Sequence, residues 1–307
     1  MTTVLITGGS GMIGTALTKE LVASGYRIII LTRNPSGFRN SERIQYAAWD
    51  PSRQTIDASA IQAADYIIHL AGANVAEGRW TQKRKREIID SRVQSGQLLV
   101  KAMSENTNHI KAVISSSAIG YYGPDAMIPN PKPFRETDPP IHDFLSGVVQ
   151  KWEAAISQIT QQNKRLVILR TGIVLSNEGG AYTEFKKPLR FGMAAVLGNG
   201  KQVVSWIHIH DLVRMYIRAI ENESMNGIYN AVAPAPVTNR ELVLSIARHN
   251  KFYIPIQVPS FVLKTMLGEM SIEVLKSTTV SSEKIQGEGF VFDYSTVEEA
   301  VNELEKG

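Results

Sequence analysis

The chain is expected to be an α/β protein: a Rossmann-type, doubly wound parallel sheet with a smaller, mostly helical C-terminal lobe. Three observations predict this. A short β-branched run at 3–7 leads into glycines at helical entry spacing. Strand-like and helix-like segments then alternate through residue 170. After about residue 176 the alternation gives way to glycine-rich loops and short helices.

Each element has its own warrant. Residues 3–7 (TVLIT) read as a buried strand. Met12, Ile13, Ala16, Leu17, Leu21 and Val22 repeat at helical spacing, and Gly25 closes that helix. Residues 26–31 form the next strand, which makes a right-handed strand–helix–strand unit. Further strands are expected at 43–48, 65–70, 110–115 and 165–170, with helices at 80–103 and 143–160. Beyond these, short strands near 203–206 and 228–231 flank a helix at 211–220. Another helix covers 238–249, and proline turns at Pro255 and Pro259 join short helices after it. The division expected is a dinucleotide-binding domain over 1–175, helped by strands near 203–231, and a substrate lobe over 176–307. No internal repeat or low-complexity segment interrupts it.

Composition narrows the function classes. The 307 residues are 43% hydrophobic and 20% charged, which excludes a disordered chain. There is no cysteine, so disulfide scaffolds, zinc–thiolate sites and thiol nucleophiles are excluded. That fits a reducing, cytoplasmic setting. The first nine residues show no basic leader, and no apolar run reaches a membrane span, so neither a signal peptide nor a membrane partner is expected. A net charge of +4 allows an anionic ligand. The basic run Arg79, Lys83, Arg84, Lys85, Arg86 is interleaved with acids and accompanied by no groove-reading motif. It reads as a solvated helix face, not a nucleic-acid site. A small-molecule substrate is expected, and a homodimer is compatible with the sequence.

The chemistry sits at the first strand–helix turn. Gly8, Gly11 and Gly14 have the spacing that lets backbone approach a pyrophosphate, with Met12 and Ile13 opening the helix whose N–H groups would hold it. At the end of the second strand NAD sites carry an acid for the ribose 2′-OH. Here Thr32 and Arg33 stand instead, and a forked guanidinium suits a 2′-phosphate, so the cofactor expected is NADP. His208 and His210 alternate like residues on one strand face, but no third ligand accompanies them and no metal site is expected.

Further strings carry a resemblance. Leu70-Ala71-Gly72, Ser115-Ser116-Ser117-Ala118 and Trp206 to Asp211 resemble the extended short-chain dehydrogenase/reductases, the NAD(P)-dependent epimerases and dehydratases of nucleotide sugars. Arg79-Trp80, Asp90-Ser91-Arg92, Gly120-Tyr121-Tyr122-Gly123, Lys151-Trp152-Glu153, Arg170 to Leu175 and Pro259 to Met270 look like an atypical epimerase-like subgroup. That subgroup carries a C-terminal domain of unknown function, here about 250–297. The resemblance implies cofactor contacts at Leu70, Ala71, Gly72, Glu87, Arg92 and Ile173. It also implies a substrate-orienting serine at Ser117. The usual Tyr-x-x-x-Lys is missing: one register places Leu145 and Val149 at its positions, and the other puts Gly147 before Lys151. Tyr122 is the candidate replacement donor, against an alternative in which it only packs. Two functions follow: an NADP(H)-dependent oxidoreductase or epimerase-like enzyme on a small polar, nucleotide-linked substrate, or an NADP(H)-binding sensor or scaffold without turnover.

Overall fold

A strand buried on both faces cannot alternate polar with apolar residues, and Thr3–Thr7 (β1) does not: all five residues are buried. The computed structural model describes residues 1–306. After β1 come α1 (Met12–Ala23), β2 (Arg27–Thr32), β3 (Ile44–Asp50), the short antiparallel return β4 (Thr55–Ile56) and α2 (Ala58–Ala63). β5 (Tyr66–His69), α3 (Gln82–Glu105), β6 (Ala112–Ala118), α4 (Phe144–Ser157) and β7 (Arg165–Thr171) complete the first half. Local chemistry sets the ends. Asp57, Thr81 and Asp143 cap α2, α3 and α4, each accepting a backbone N–H of the first turn, and Gly25, at φ +88°, turns the chain out of α1.

The second half runs β8 (Ile173–Leu175), α5 (Gly180–Leu189), β9 (Met193–Leu197), β10 (Val203–Val204), β11 (Trp206–His208), α6 (Ile209–Glu221) and β12 (Gly227–Ala231). It ends with β13 (Val237–Thr238), α7 (Asn239–Ala247), β14 (Ile254–Val258), α8 (Ser260–Leu267), α9 (Ser271–Leu275), α10 (Glu283–Gly287) and α11 (Val297–Leu304).

Eight strands form the main sheet in the order β12-β7-β6-β5-β1-β2-β3-β4, parallel except for β4. The chain winds outward from β1 in one direction and resumes at β5 in the other. The carboxyl ends of β1 and β5 therefore flank the topological switch point, where such sheets bind ligands. α1 and α6 cover one face through Leu17, Leu21, Leu212 and Tyr216, while α2, α3 and α4 cover the other through Ile61, Leu98, Leu99 and Ile156. β12 belongs to this sheet although it lies far along the chain. The parallel ribbons β8–β11 and β9–β14, with the antiparallel β10–β13, build the lobe around Tyr182, Trp206 and Val301. β14 is a strand where the sequence suggests only a proline turn. Pro255 is tolerated because its missing N–H falls on the free edge of the ribbon.

Candidate active site

The glycines after β1 divide the work. A Cβ at Gly8 would lie 3.0 Å from the Ala71 nitrogen, and one at Gly14 only 2.4 Å from the Gly8 oxygen. Gly8 also holds φ +71°. Both are demanded by the protein's own packing. Gly11 is not: a Cβ there meets only the Gly8 oxygen at 3.4 Å. Its N–H donates to that oxygen at 3.1 Å. Gly11 is the N-cap of α1, where no side chain caps the helix and no acid sits in the first turn. The result is an open, electropositive helix end with backbone N–H groups unspent, which fits an anionic pyrophosphate. Met12 and Ile13 begin the helix. The Met12 thioether packs against the turn entering α5, where a Cβ on Gly180 would meet its sulfur at 3.5 Å.

Thr7 ties the two loops of the switch point together. Its Oγ1 accepts the Leu70 and Ala71 N–H groups, both at 3.1 Å, and lies 2.8 Å from His69 Nδ1. With its lone pairs engaged, the Thr7 hydroxyl donates to Nδ1, so His69 is the neutral Nε2–H tautomer, with Ser95 Oγ 3.4 Å from Nε2. Burial, together with the nearby Arg92 charge, pushes the His69 pKa down to about 3.

Leu70 and Ala71 are thereby fixed beside the glycine loop. Gly72 lies against the Arg92 guanidinium, 3.0 Å from where its Cβ would stand. Arg92 Nη1 donates to the Ala73 carbonyl at 3.0 Å and the Ile88 carbonyl at 3.1 Å, and its guanidinium stacks over Trp152. Arg92 therefore anchors the loop after β5. Glu87 is on a different side of α3, because five residues turn a helix by about 140°. Its carboxylate pairs with Arg84 at 2.8 Å on the exposed surface. Thr32 is half-buried at the end of β2, and Arg33 beyond it is exposed with no hydrogen-bond or ion-pair partner among the described residues. Ile173 opens β8 and is 39% exposed.

Ser117 and Tyr122 meet in one buried network. The Ser117 hydroxyl donates to Glu153 Oε1 at 2.6 Å. Arg170 grips the same carboxylate through Nε and Nη2, both at 2.8 Å. Its Nη1 donates to the Tyr122 oxygen at 3.0 Å, and Tyr122 donates to Asn230 Oδ1 at 2.8 Å. Strand register explains the meeting: Ser117 on β6 and Asn230 on β12 both pair with Arg170 on β7. Burial works against the Arg170 charge, but the Glu153 carboxylate more than offsets it and raises the pKa. Burial drives the Tyr122 phenol up to about 12 despite the adjacent guanidinium. Tyr121 places its ring under the same guanidinium, 3.4 Å from the centroid. On α4, Leu145 is half-buried, Val149 is buried and Lys151 is exposed, so this helix turns no lysine toward Ser117.

His208 and His210 do not share a strand face. β11 ends at His208 and α6 begins at Ile209, so His208 Nδ1 accepts the His210 N–H at 3.2 Å as a helix cap. Sequence reasoning missed the linking roles of Thr7, His69, Arg170 and Asn230. One signal was present: Arg170 directly follows the apolar run Leu166 to Leu169, and a charge buried in a parallel sheet requires a partner.

The switch-point cradle, with its uncapped helix and glycine turn, defines a dinucleotide-binding protein of the Rossmann type. The chain belongs to the NAD dependent epimerase/dehydratase family, whose model matches residues 4–231, and residues 258–304 match a domain of unknown function, DUF1731. An epimerase family protein of Staphylococcus aureus strain NCTC 8325 is 38% identical over 98% of each chain. One from Staphylococcus saprophyticus is 36% identical over 98% of each. Among solved structures, human epimerase family protein SDR39U1 (isoform 2) with NADPH is 28% identical, with a TM-score of 0.86 over 99% of each chain. A nucleoside-diphosphate sugar epimerase from Corynebacterium glutamicum is 29% identical, with a TM-score of 0.77 over 99% of this chain and 58% of that one.

Proposed function

We propose that the chain is an NADP(H)-dependent oxidoreductase or epimerase-like enzyme acting on a small polar, nucleotide-linked substrate. Residues 1–175 are read as the cofactor domain, completed by β12, and 176–307 as the substrate lobe. The observation that carries the cofactor assignment is the unpartnered Arg33 at the end of β2, where no acid stands to select NAD. The NADPH in the human relative's structure supports the same choice.

The bound dinucleotide supplies a hydride acceptor or donor. The N–H groups of Met12 and Ile13 at the start of α1 hold the pyrophosphate, and Arg33 pairs with the 2′-phosphate. Leu70, Ala71 and Gly72 line the adenosine-ribose side, and Arg92 keeps that loop in place. Ile173 offers an apolar contact near the ring. Ser117 orients the substrate: its proton is held by Glu153, which leaves its oxygen as an acceptor. Tyr122 braces Arg170.

A specific observation favours the second reading, a sensor or scaffold without turnover. Leu145 and Val149 occupy the Tyr and Lys positions in one register and Gly147 the Tyr position in the other. Both hydroxyls of the network are also engaged by protein groups. Turnover assays separate the two readings. Titration of NADPH followed by oxidation over aldehydes, ketones and quinones, together with epimerisation of nucleotide sugars, should give turnover with at least one class. Tight NADPH binding with no turnover on any of them would leave the sensor reading standing.

A further inference from the structure

The β9–β14 ribbon shows one apolar face to solvent. Register places Met193 beside Ile254, Ala195 beside Ile256 and Leu197 beside Val258, so these six side chains share a face. The opposite face of β9, through Ala194 and Val196, is buried against the lobe. At the carboxyl end the outer face is partly covered, with Leu275 and Ser260 against Gly198. At the amino end it is open. There Phe191 and Phe252 stand on adjacent loop tips, 80% and 68% exposed, and the Phe252 ring lies 3.3 Å from where a Gly192 Cβ would be. Of the fourteen large apolar side chains exposed among the described residues, five fall within 191–193 and 252–256. Such clustering is unlike the scattered exposure of an ordinary surface.

Charge identifies what would cover it. Residues 185–204 and 242–268 contain no Asp or Glu. Arg190 and Lys251 adjoin the two phenylalanines, and Arg248 and Lys264 stand close by in sequence. All four are exposed and without an ion-pair partner among the described residues. A second copy would bring like charges together. A peptide strand could not pair along β14. The Ile254 N–H donates to Gly192 and the Val258 carbonyl accepts from Gly198, which turns Pro255 to the free edge, where it offers no donor. Projecting aromatic and aliphatic tips beside uncompensated basic residues match the surface of an anionic bilayer, into which the apolar tips sink while Lys and Arg meet the headgroups. No helix of the described residues is long and apolar enough to cross a membrane, so attachment would be peripheral.

We infer that the Phe191/Phe252 end of the β9–β14 ribbon docks the protein on anionic lipid surfaces. This does not depend on the catalytic reading. The test is co-sedimentation of the full chain with vesicles of phosphatidylcholine alone and of equal parts phosphatidylcholine and phosphatidylglycerol. Binding should be at least about tenfold tighter to the anionic vesicles, each nearby basic residue adding roughly five-fold attraction at low salt. It should fall steeply by about 0.5 M NaCl as the charges are screened. Phe191→Ser with Phe252→Ser, and separately Arg190→Glu with Lys251→Glu, should each weaken it about tenfold or more. NADPH binding and circular dichroism, unchanged in both variants, show that they remain folded. Absent or equal binding to the two vesicles, or binding unaffected by either pair, would overturn the inference. So would a dimer of the wild type that dissociates in the phenylalanine variant, because a second copy would then be the occupant.

Discussion

Arg170 holds Glu153 by two parallel hydrogen bonds of 2.8 Å, with both side chains almost wholly out of water. The pair joins α4 to β7, and through Ser117, Tyr122 and Asn230 it spans three strands. A buried pair need not stabilise a fold more than apolar packing would, but removing one partner strands the other. Glu153→Ala is therefore expected to cost about 3–5 kcal/mol. Glu283→Ala, which breaks an exposed pair with Arg135, should cost less than about 1 kcal/mol. Denaturant melts of both variants check this, and equal costs would remove the network from the fold's main supports.

His69 predicts an acid-sensitive fold. The folded protein keeps this imidazole neutral down to about pH 3, whereas the unfolded chain takes up a proton near its ordinary value of 6.5. Between those values the unfolded state binds more protons, so stability is lost as pH falls from about 6.5 toward 3. One such group contributes a slope of up to about 1.4 kcal/mol per pH unit. His208, held at about 4 chiefly by burial, adds to the upper part of the window. His69→Gln should flatten the slope by nearly one proton, and an unchanged slope would show that other groups control acid unfolding.

The α/β class, the switch-point glycines and the elements from β1 to β3 were legible in the sequence, as were β5 to β7 with α3 and α4, but the short β4 and α2 between them were not. Each rests on local signals: β-branched runs, helical spacing and glycine stops. What was hidden depends on register across distant strands. Nothing local to Ser117, Tyr122 or Asn230 says that all three converge on Arg170, because the pairing joins β6, β7 and β12. Glu87 and Arg92 appeared equivalent as charges on one helix, and only packing separates the exposed ion pair from the buried anchor. β14 escaped notice because Pro255 argues against a strand unless the edge position is known.

NADP(H) is expected to bind at least about tenfold more tightly than NAD(H). Arg33 is free to meet a 2′-phosphate, and one charge-assisted forked contact is worth about 1.5–3 kcal/mol. Fluorescence titration of both cofactors decides it. Arg33→Ala should lose most of the preference, and equal affinities in the wild type would sink the claim.

Gly11 and Gly14 should fail differently. Gly11→Val leaves the fold intact, since its Cβ meets only the Gly8 oxygen at 3.4 Å, yet it blocks the approach to the helix end and should abolish NADPH binding. Gly14→Val drives a side chain to 2.4 Å from that same oxygen, so it should destabilise the fold itself by about 1–3 kcal/mol or more. Thermal melts read beside cofactor titrations separate the two, and a Gly11→Val protein that unfolds would make that glycine structural only.

Ser117 is the residue on which the enzyme reading stands. Its hydroxyl donates to Glu153, which fixes the oxygen and leaves a lone pair to receive a substrate hydrogen bond. Ser117→Ala should therefore lower kcat by about tenfold, the worth of one substrate-positioning hydrogen bond, while leaving NADPH affinity near the wild-type value. Tyr122→Phe should act elsewhere. Its hydroxyl is wholly buried between Arg170 and Asn230, so its loss should cost about 1–3 kcal/mol of stability and little kcat. The pH–rate profile should also lack a limb from a lysine-lowered tyrosine near neutral pH, because Leu145 and Val149 supply neither group and burial holds Tyr122 near 12. Stopped-flow NADPH oxidation across pH in the wild type and both variants measures the kcat and pH effects, and denaturant melts measure the stability loss. A kcat loss in Tyr122→Phe equal to that in Ser117→Ala would put the buried phenol in the chemistry, and turnover indifferent to both would show that proton transfer runs through other groups of the cleft.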